Sequence, residues 1–198
     1  MRFSSRKFLG VCAAAGLMCA SLAHAQSDGN APRKPITPTT VKTVGGWDVR
    51  CYPVQTPAPC EMWEAVAFKG TQQLAASISI VYIPASDGYA VQLVLPLGID
   101  FAKGIRLNAG SYTSEALHFE RCERVGCIIA IREGNATVGA LRNQPNVKLD
   151  ITWFHGKAMN ITVPLKGFDE ARAALVDVAK QKAVTPKTDD TAAPSPSP

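Results

Sequence analysis

The stretch VQLVLPLG, residues 91 to 98, sets Val91, Leu93, Leu95 and Leu97 in alternation with Gln92, Val94 and Pro96. Successive side chains of an extended strand point to opposite faces, so apolar residues at period two commit a segment to a strand with one face in a core. Val147, Leu149, Ile151 and Trp153 repeat the pattern against Lys148, Asp150 and Thr152. SISIVYI from Ser77 to Ile83 and CIIAIRE from Cys127 to Glu133 are apolar on both faces in part, which suits central strands. Turn signals fall between these runs at Ser86 to Gly88, Asn108 to Gly110, Glu133 to Asn135, Asn143 to Asn146 and His155 to Lys157. Nine or ten short strands with no helices alternating between them predict an all-β chain, an antiparallel sandwich or a small barrel. One helical pattern stands near the end: FDEARAALVDVAKQKA places Phe168, Ala171, Leu175 and Val178 at helical spacing, with acids in the first turn and lysines in the last. The apolar stripe of this amphipathic helix is expected on the sandwich edge or across an open end.

The two ends of the chain read differently. Arg2, Arg6 and Lys7 precede an apolar run from Phe8 to Ala20, and small residues follow at Ala23 and Ala25. This is the pattern of a secretory signal peptide over residues 1–25, with cleavage expected after Ala25. The run is shorter than the roughly 20 apolar residues that a membrane anchor needs. Cys12 and Cys19 lack the small preceding residues of a lipoprotein signal. Residues 26–42 are polar with Pro32, Pro35 and Pro38, and are expected to be a flexible linker. Residues 183–198 include the proline-rich TPKTDDTAAPSPSP and are expected to be a disordered tail. One structured domain over 43–182 remains, large enough for its own core.

The 21 Lys and Arg outweigh the 16 Asp and Glu, but three of the basic residues lie in the signal peptide, leaving the mature chain at +2. The cations are scattered among acids instead of forming a stripe, so no nucleic-acid partner is expected. No transmembrane segment is expected in the mature chain, since no later run approaches roughly 18 apolar residues.

The mature chain carries Cys51, Cys60, Cys122 and Cys127, an even count that suits an oxidising, extracytoplasmic compartment. Four cysteines allow three pairings, and sequence alone does not choose among them. Loop geometry favours Cys51 with Cys60, at facing ends of the candidate strands WDVRC and CEMWEAVAF, and Cys122 with Cys127, across a four-residue turn between LHFERC and CIIAI. A redox pair would need a Cys-x-x-Cys spacing, usually at a helix start. A structural zinc site would use shorter spacings, and export favours oxidation.

No Gly-x-Ser-x-Gly, His-Glu-x-x-His or phosphate loop is present. His118 sits in LHF and is expected to point away from the face of Leu117 and Phe119, while His155 lies in the turn FHGK. Nothing in their spacing makes them converge with a carboxylate or a serine, so no catalytic, metal or cofactor site is expected. Trp47, Trp63 and Trp153 stand in strand patterns and are expected in the core. Asn135 and Asn160 open Asn-x-Thr triplets, which matter only where a glycosylation system exists.

Several signatures follow one another in a fixed order: GGWDVRC at 45–51, a second cysteine soon after, LPLGI at 95–99, FERCERVGC at 119–127 and MNITVPLKGFDEARAAL at 159–175. In this ordered set the chain resembles the invasion-associated locus B family of exported alphaproteobacterial proteins, over essentially the whole of residues 43–180. The resemblance implies an immunoglobulin-like β-sandwich, a periplasmic or envelope-associated location and, in pathogenic members, a contribution to host-cell invasion. It brings no catalytic residues.

Two functional readings follow. The first is a non-catalytic interaction module that contacts a protein, an envelope component or a host surface. Its contact loop is expected in the proline-rich connection between Cys51 and Cys60, with Tyr52, Pro53, Pro57 and Pro59 on the surface. The second is a periplasmic enzyme with a site assembled from distant residues that include His118 and His155. An outer-membrane barrel is a third way to use alternating strands. The C-terminal helix and the strands apolar on both faces argue against it.

Overall fold

The structure, a computed structural model, describes residues 36–183. The expected signal peptide, the linker up to residue 35 and the proline-rich tail from residue 184 lie outside the described residues. Strands β1 (Thr39–Val44), β2 (Trp47–Cys51), β3 (Cys60–Ala67), β4 (Leu74–Ile83) and β5 (Gly88–Leu95) come first. They are followed by β6 (Arg106–Ala109), β7 (Tyr112–Thr113), β8 (Arg121–Glu123) and β9 (Gly126–Ile131). The chain continues through α1 (Asn135–Leu141), β10 (Asn146–Thr152), β11 (Ala158–Pro164) and α2 (Phe168–Lys182). One sheet has seven strands in the order β1-β2-β3-β4-β5-β9-β8 and the other has four in the order β11-β10-β6-β7. Every pairing is antiparallel. This is the all-β sandwich that the alternation and the resemblance both predict.

SISIVYI falls in β4, the middle strand of the large sheet. Ile78 and Ile80 are fully buried on its core side, with Ser77 and Ser79 buried on the other. One continuous apolar core runs through both sheets, with Leu93 and Leu95 from the large sheet and Leu107, Leu149 and Val163 from the small one.

Four expectations change. The helix α2 does not sit at an edge or an open end: it lies against β1 to β4 and so forms part of the core. Its buried residues are Phe168, Ala171, Leu175 and Ala179, with Val178 only half-buried. Each turn of 3.6 residues rotates the stripe slightly, and Ala179 rather than Val178 completes it. A second helix, α1, begins in the segment read as a Glu-Gly-Asn turn. Thr137, Val138 and Gly139 favour helix weakly, and it is the burial of Val138 and Leu141 near β5 that holds the turns together. The strand read as LHFERC is reduced to Arg121–Glu123, with Leu117 joined only by an isolated bridge to Ile105. Finally, β1 starts at Thr39, inside the region read as linker.

The corner where α2 meets β1 and β2 is unusually tight. Gly45 has φ +60°, and a Cβ there would lie 2.1 Å from the Lys166 carbonyl oxygen. Gly167 has φ +84° and a Cβ there would lie 2.9 Å from Val44. Only glycine supplies the left-handed backbone and the missing methyl at both places.

Candidate functional site

The disulfides join cysteines that face each other directly in register. Cys51 pairs with Cys60 across β2 and β3, with Cα atoms 4.0 Å apart, and Cys122 pairs with Cys127 across β8 and β9, with Cα atoms 3.9 Å apart. The first sits at the edge of the core and the second tethers the outermost strand β8, whose three residues are all exposed. Among the described residues, no three His, Cys, Asp or Glu side chains come together as a metal-binding group.

Strand register gathers four connections at one end of the sandwich. Leu95, the last residue of β5, pairs with Cys127, so the β8–β9 turn at residues 124–125 lies beside the exit of β5. Ser77 pairs with Val94, which puts the start of β4, and hence the β3–β4 connection, at the same end. The chain leaving β5 then runs along the β10–β11 turn. Phe154 N–H donates to the Gly98 carbonyl at 2.9 Å, Asp100 N–H donates to the Thr152 carbonyl at 2.7 Å, and Ile99 bridges Trp153. The ring of Phe68, at the start of the β3–β4 connection, lies 6.4 Å from that of Trp153.

This end carries Leu97 (54% exposed), Phe101 (45%), Val125 (68%) and Phe154 (65%). They are four of the six exposed large apolar side chains among the described residues; the other two, Ile36 and Val41, lie in or just before β1. Leu97 continues the alternation of β5 in sequence, but Pro96 lacks the N–H a ladder needs and the strand stops at Leu95. Phe101 rests on buried Phe119, ring centroids 4.8 Å apart, and Phe154 stacks on His155 at 3.6 Å.

Cations flank these tips. Lys69, Lys103, Arg124 and Lys157 are all exposed on the same four connections. Three acids nearby are engaged in salt bridges: Asp100 lies 4.0 Å from Lys103, Glu120 pairs with Arg121 and Arg132, and Glu123 pairs with Arg121 at 2.6 Å. Lys69, Arg124 and Lys157 have no salt bridge among the described residues.

The residues singled out in the sequence fall elsewhere or stay apart. The Tyr52–Pro59 loop lies at the opposite end, because β2 leads into it and β3 leads away from it. Its neck is closed by Tyr52 N–H donating to the Pro59 carbonyl at 2.9 Å. Pro53 and Pro57 are exposed, Tyr52 is half-buried and Pro59 is buried. The Tyr52 hydroxyl turns back to donate to Glu61 Oε1 at 2.7 Å, and burial together with that carboxylate pushes its pKa up to about 12. His118 is exposed with its Nδ1 facing Gly104, and His155 is exposed on the β10–β11 turn. Of the tryptophans only Trp47 is fully buried; Trp63 and Trp153 are half-buried.

Two polar arrangements escaped sequence reading. On the outer face of the large sheet, Glu61 accepts from Arg50 Nε at 2.7 Å, from Tyr52 and from the Ser79 hydroxyl, while the Arg50 guanidinium lies 4.3 Å over the Trp63 ring. On the core face, Glu64 is buried against Gly46 with no partner for Oε2 among the described atoms. Burial alone pushes its carboxyl up to about 7. A shallow cleft of about 360 Å³ lined by Lys103, Arg106, Asp150 and Asn160 opens beside the small sheet. Its acid Asp150 already accepts from Asn108 and Asn160.

The two antiparallel sheets, pinned by two cross-strand disulfides, make a β-sandwich domain whose exposed large apolar side chains lie mostly on loops. The invasion associated locus B (IalB) family model matches residues 47–176, and the chain belongs to that family. It is 27% identical over 136 residues to invasion protein B homologs of Brucella abortus strain 2308 and of Brucella abortus biovar 1 strain 9-941, covering 67% of this chain and 77% of each relative. Among solved structures it is similar to the crystal structure of invasion associated protein B from Bartonella henselae. That match has a TM-score of 0.62 and 26% identity, and covers 70% of this chain and 97% of the other.

Proposed function

We propose that the chain is an exported, envelope-associated interaction protein without catalytic activity, which contributes to host association and makes contact through the loop-bearing end described above. Export is supported by the signal-peptide pattern ending at Ala25 and by the two disulfides, which suit the periplasm or the cell exterior. Host association is supported by the relatives, which bear the names of invasion proteins. The single observation that carries the contact surface is the concentration of Leu97, Phe101, Val125 and Phe154 at one end of a sandwich whose other surfaces expose few large apolar side chains.

The test is site-specific photo-crosslinking in intact cells, with the probe placed at Val125 in one strain and at Pro57 in another. Adducts from position 125 and none from 57 are the expected outcome. Adducts from 57 alone would move the contact to the proline-rich loop, and none from either site would remove the interaction reading.

A further inference from the structure

Resting on that reading of the loop-bearing end, we propose that its partner is the surface of an anionic phospholipid bilayer, into which Leu97, Phe101, Val125 and Phe154 dip while Lys69, Lys103, Arg124 and Lys157 meet the headgroups. Three observations point to a lipid surface rather than to a folded protein partner.

The first is shape. The four apolar side chains stand on three different connections that draw on both sheets, so the apolar contact is spread over several loops and no single element carries it. A specific protein interface needs a packed, contiguous area of roughly 800 Å² on each partner. A bilayer interface is fluid and takes up isolated apolar tips to a depth of about 5–10 Å with no requirement for shape complementarity.

The second is spacing. Cations sit next to the apolar tips in sequence: Arg124 precedes Val125, Lys103 follows Phe101 by two positions and Lys157 follows Phe154 by three, while Lys69 stands on the neighbouring β3–β4 connection. Lysine and arginine stems can lie along apolar matter while their charged heads stay at the level of the phosphates.

The third is charge. Asp100, Glu120 and Glu123, the acids on or next to these connections, are each held in a salt bridge, while Lys69, Arg124 and Lys157 have none among the described residues. This residue of positive charge complements anionic headgroups and disfavours an acid-poor or basic partner. No helix among the described residues is long and apolar enough to cross a membrane.

The experiment uses the chain from Gln26 to Pro198, which keeps all described residues, in co-sedimentation with vesicles of phosphatidylcholine alone and of phosphatidylcholine mixed with phosphatidylglycerol. Binding to the anionic vesicles, weak binding to the neutral ones and loss of binding in high salt are expected. The Leu97→Ser, Val125→Ser, Phe154→Ser triple variant should bind at least about tenfold more weakly, since it strips most of the inserted apolar surface. Arg124→Glu with Lys157→Glu should also fall by more than about tenfold, as each cation near an anionic surface is worth roughly fivefold. Val41→Ser on β1 should bind as the parent does.

Wild-type protein that ignores anionic vesicles, or a folded triple variant that binds like the parent, would overturn the proposal. If the triple variant proved unfolded, the charge-reversed variant would decide. Should vesicles fail while the probe at Val125 still captures a protein in cells, the contact reading stands and the lipid surface falls.

Discussion

Trp47 and Phe168 meet edge to face, with ring centroids 5.3 Å apart and planes at 79°, at the point where the first and last parts of the domain close on each other. Both rings are buried. Two of the segments that mark the family, GGWDVRC and LKGFDEARAAL, therefore form one corner: Gly45 fits against Lys166, Gly167 against Val44, and Trp47 against Phe168. Their joint presence in the sequence has a packing cause. Phe168→Ala should cost about 3–5 kcal/mol in denaturant unfolding, the usual range for emptying a buried aromatic site. Gly45→Ala, which sets a methyl 2.1 Å from a carbonyl oxygen at positive φ, should cost at least about 2 kcal/mol.

Glu64 makes stability depend on pH in the direction opposite to that of a paired carboxylate. Its carboxyl is raised by burial from 4.5 to about 7. Between those values the folded protein holds a proton that the unfolded chain has released, so stability is full below the lower value and falls as pH rises through the upper one. The loss by about pH 8 should be no more than about 3 kcal/mol, from 1.36 kcal/mol per pKa unit. Glu64→Gln should flatten this part of the profile and be more stable than the parent in mild alkali. Urea midpoints across the pH range read the effect; a parent that gains stability over the same window would refute the assignment.

Glu61 anchors the outer-face network, and its loss should be felt. With side-chain exposures of 10% for Glu61 and 20% for Arg50, the pair is largely shielded from water. Glu61→Ala leaves the guanidinium and two hydroxyls without their acceptor and should cost about 3 kcal/mol. Arg50→Lys should lose part of that, because an ammonium can neither stack on Trp63 nor reproduce the directed Nε hydrogen bond. Thermal unfolding of the two variants side by side is the measurement.

The two disulfides should contribute unequally. Each closes a short loop and should be worth about 2–3 kcal/mol through the unfolded chain. Cys51 and Cys60 are both buried at the edge of the core, whereas in the other pair Cys127 is buried and Cys122 exposed, so Cys51→Ser with Cys60→Ser removes more packing. Cys122→Ser with Cys127→Ser frees the exposed strand β8 and should raise amide exchange there first. Hydrogen exchange that rises equally across the large sheet would contradict this.

Much of the architecture was legible because alternation of apolar residues is a local consequence of strand geometry. Val91, Leu93 and Leu95, and Val147, Leu149 and Ile151, are buried where their spacing puts them. Local pairing of cysteines was legible for the same reason, since short connections between strands leave few other arrangements. The candidate site was not legible as a unit. Leu97 reads as one more inward residue of β5, yet the strand ends before it, and Val125 and Phe154 stand inside segments that read simply as turns. The one available signal was a large apolar side chain within a turn, a place that normally favours polar residues.

Sequence by itself determined the class of fold, the central strands and the amphipathic helix, because these depend on side-chain periodicity along a few neighbouring residues. Only the tertiary structure decided that α2 covers β1 to β4, that Glu64 Oε2 is buried with no partner among the described residues, and that exposed apolar side chains from distant connections share one end. Burial and proximity between residues far apart in the chain depend on how strands register and sheets stack, and no local pattern encodes that.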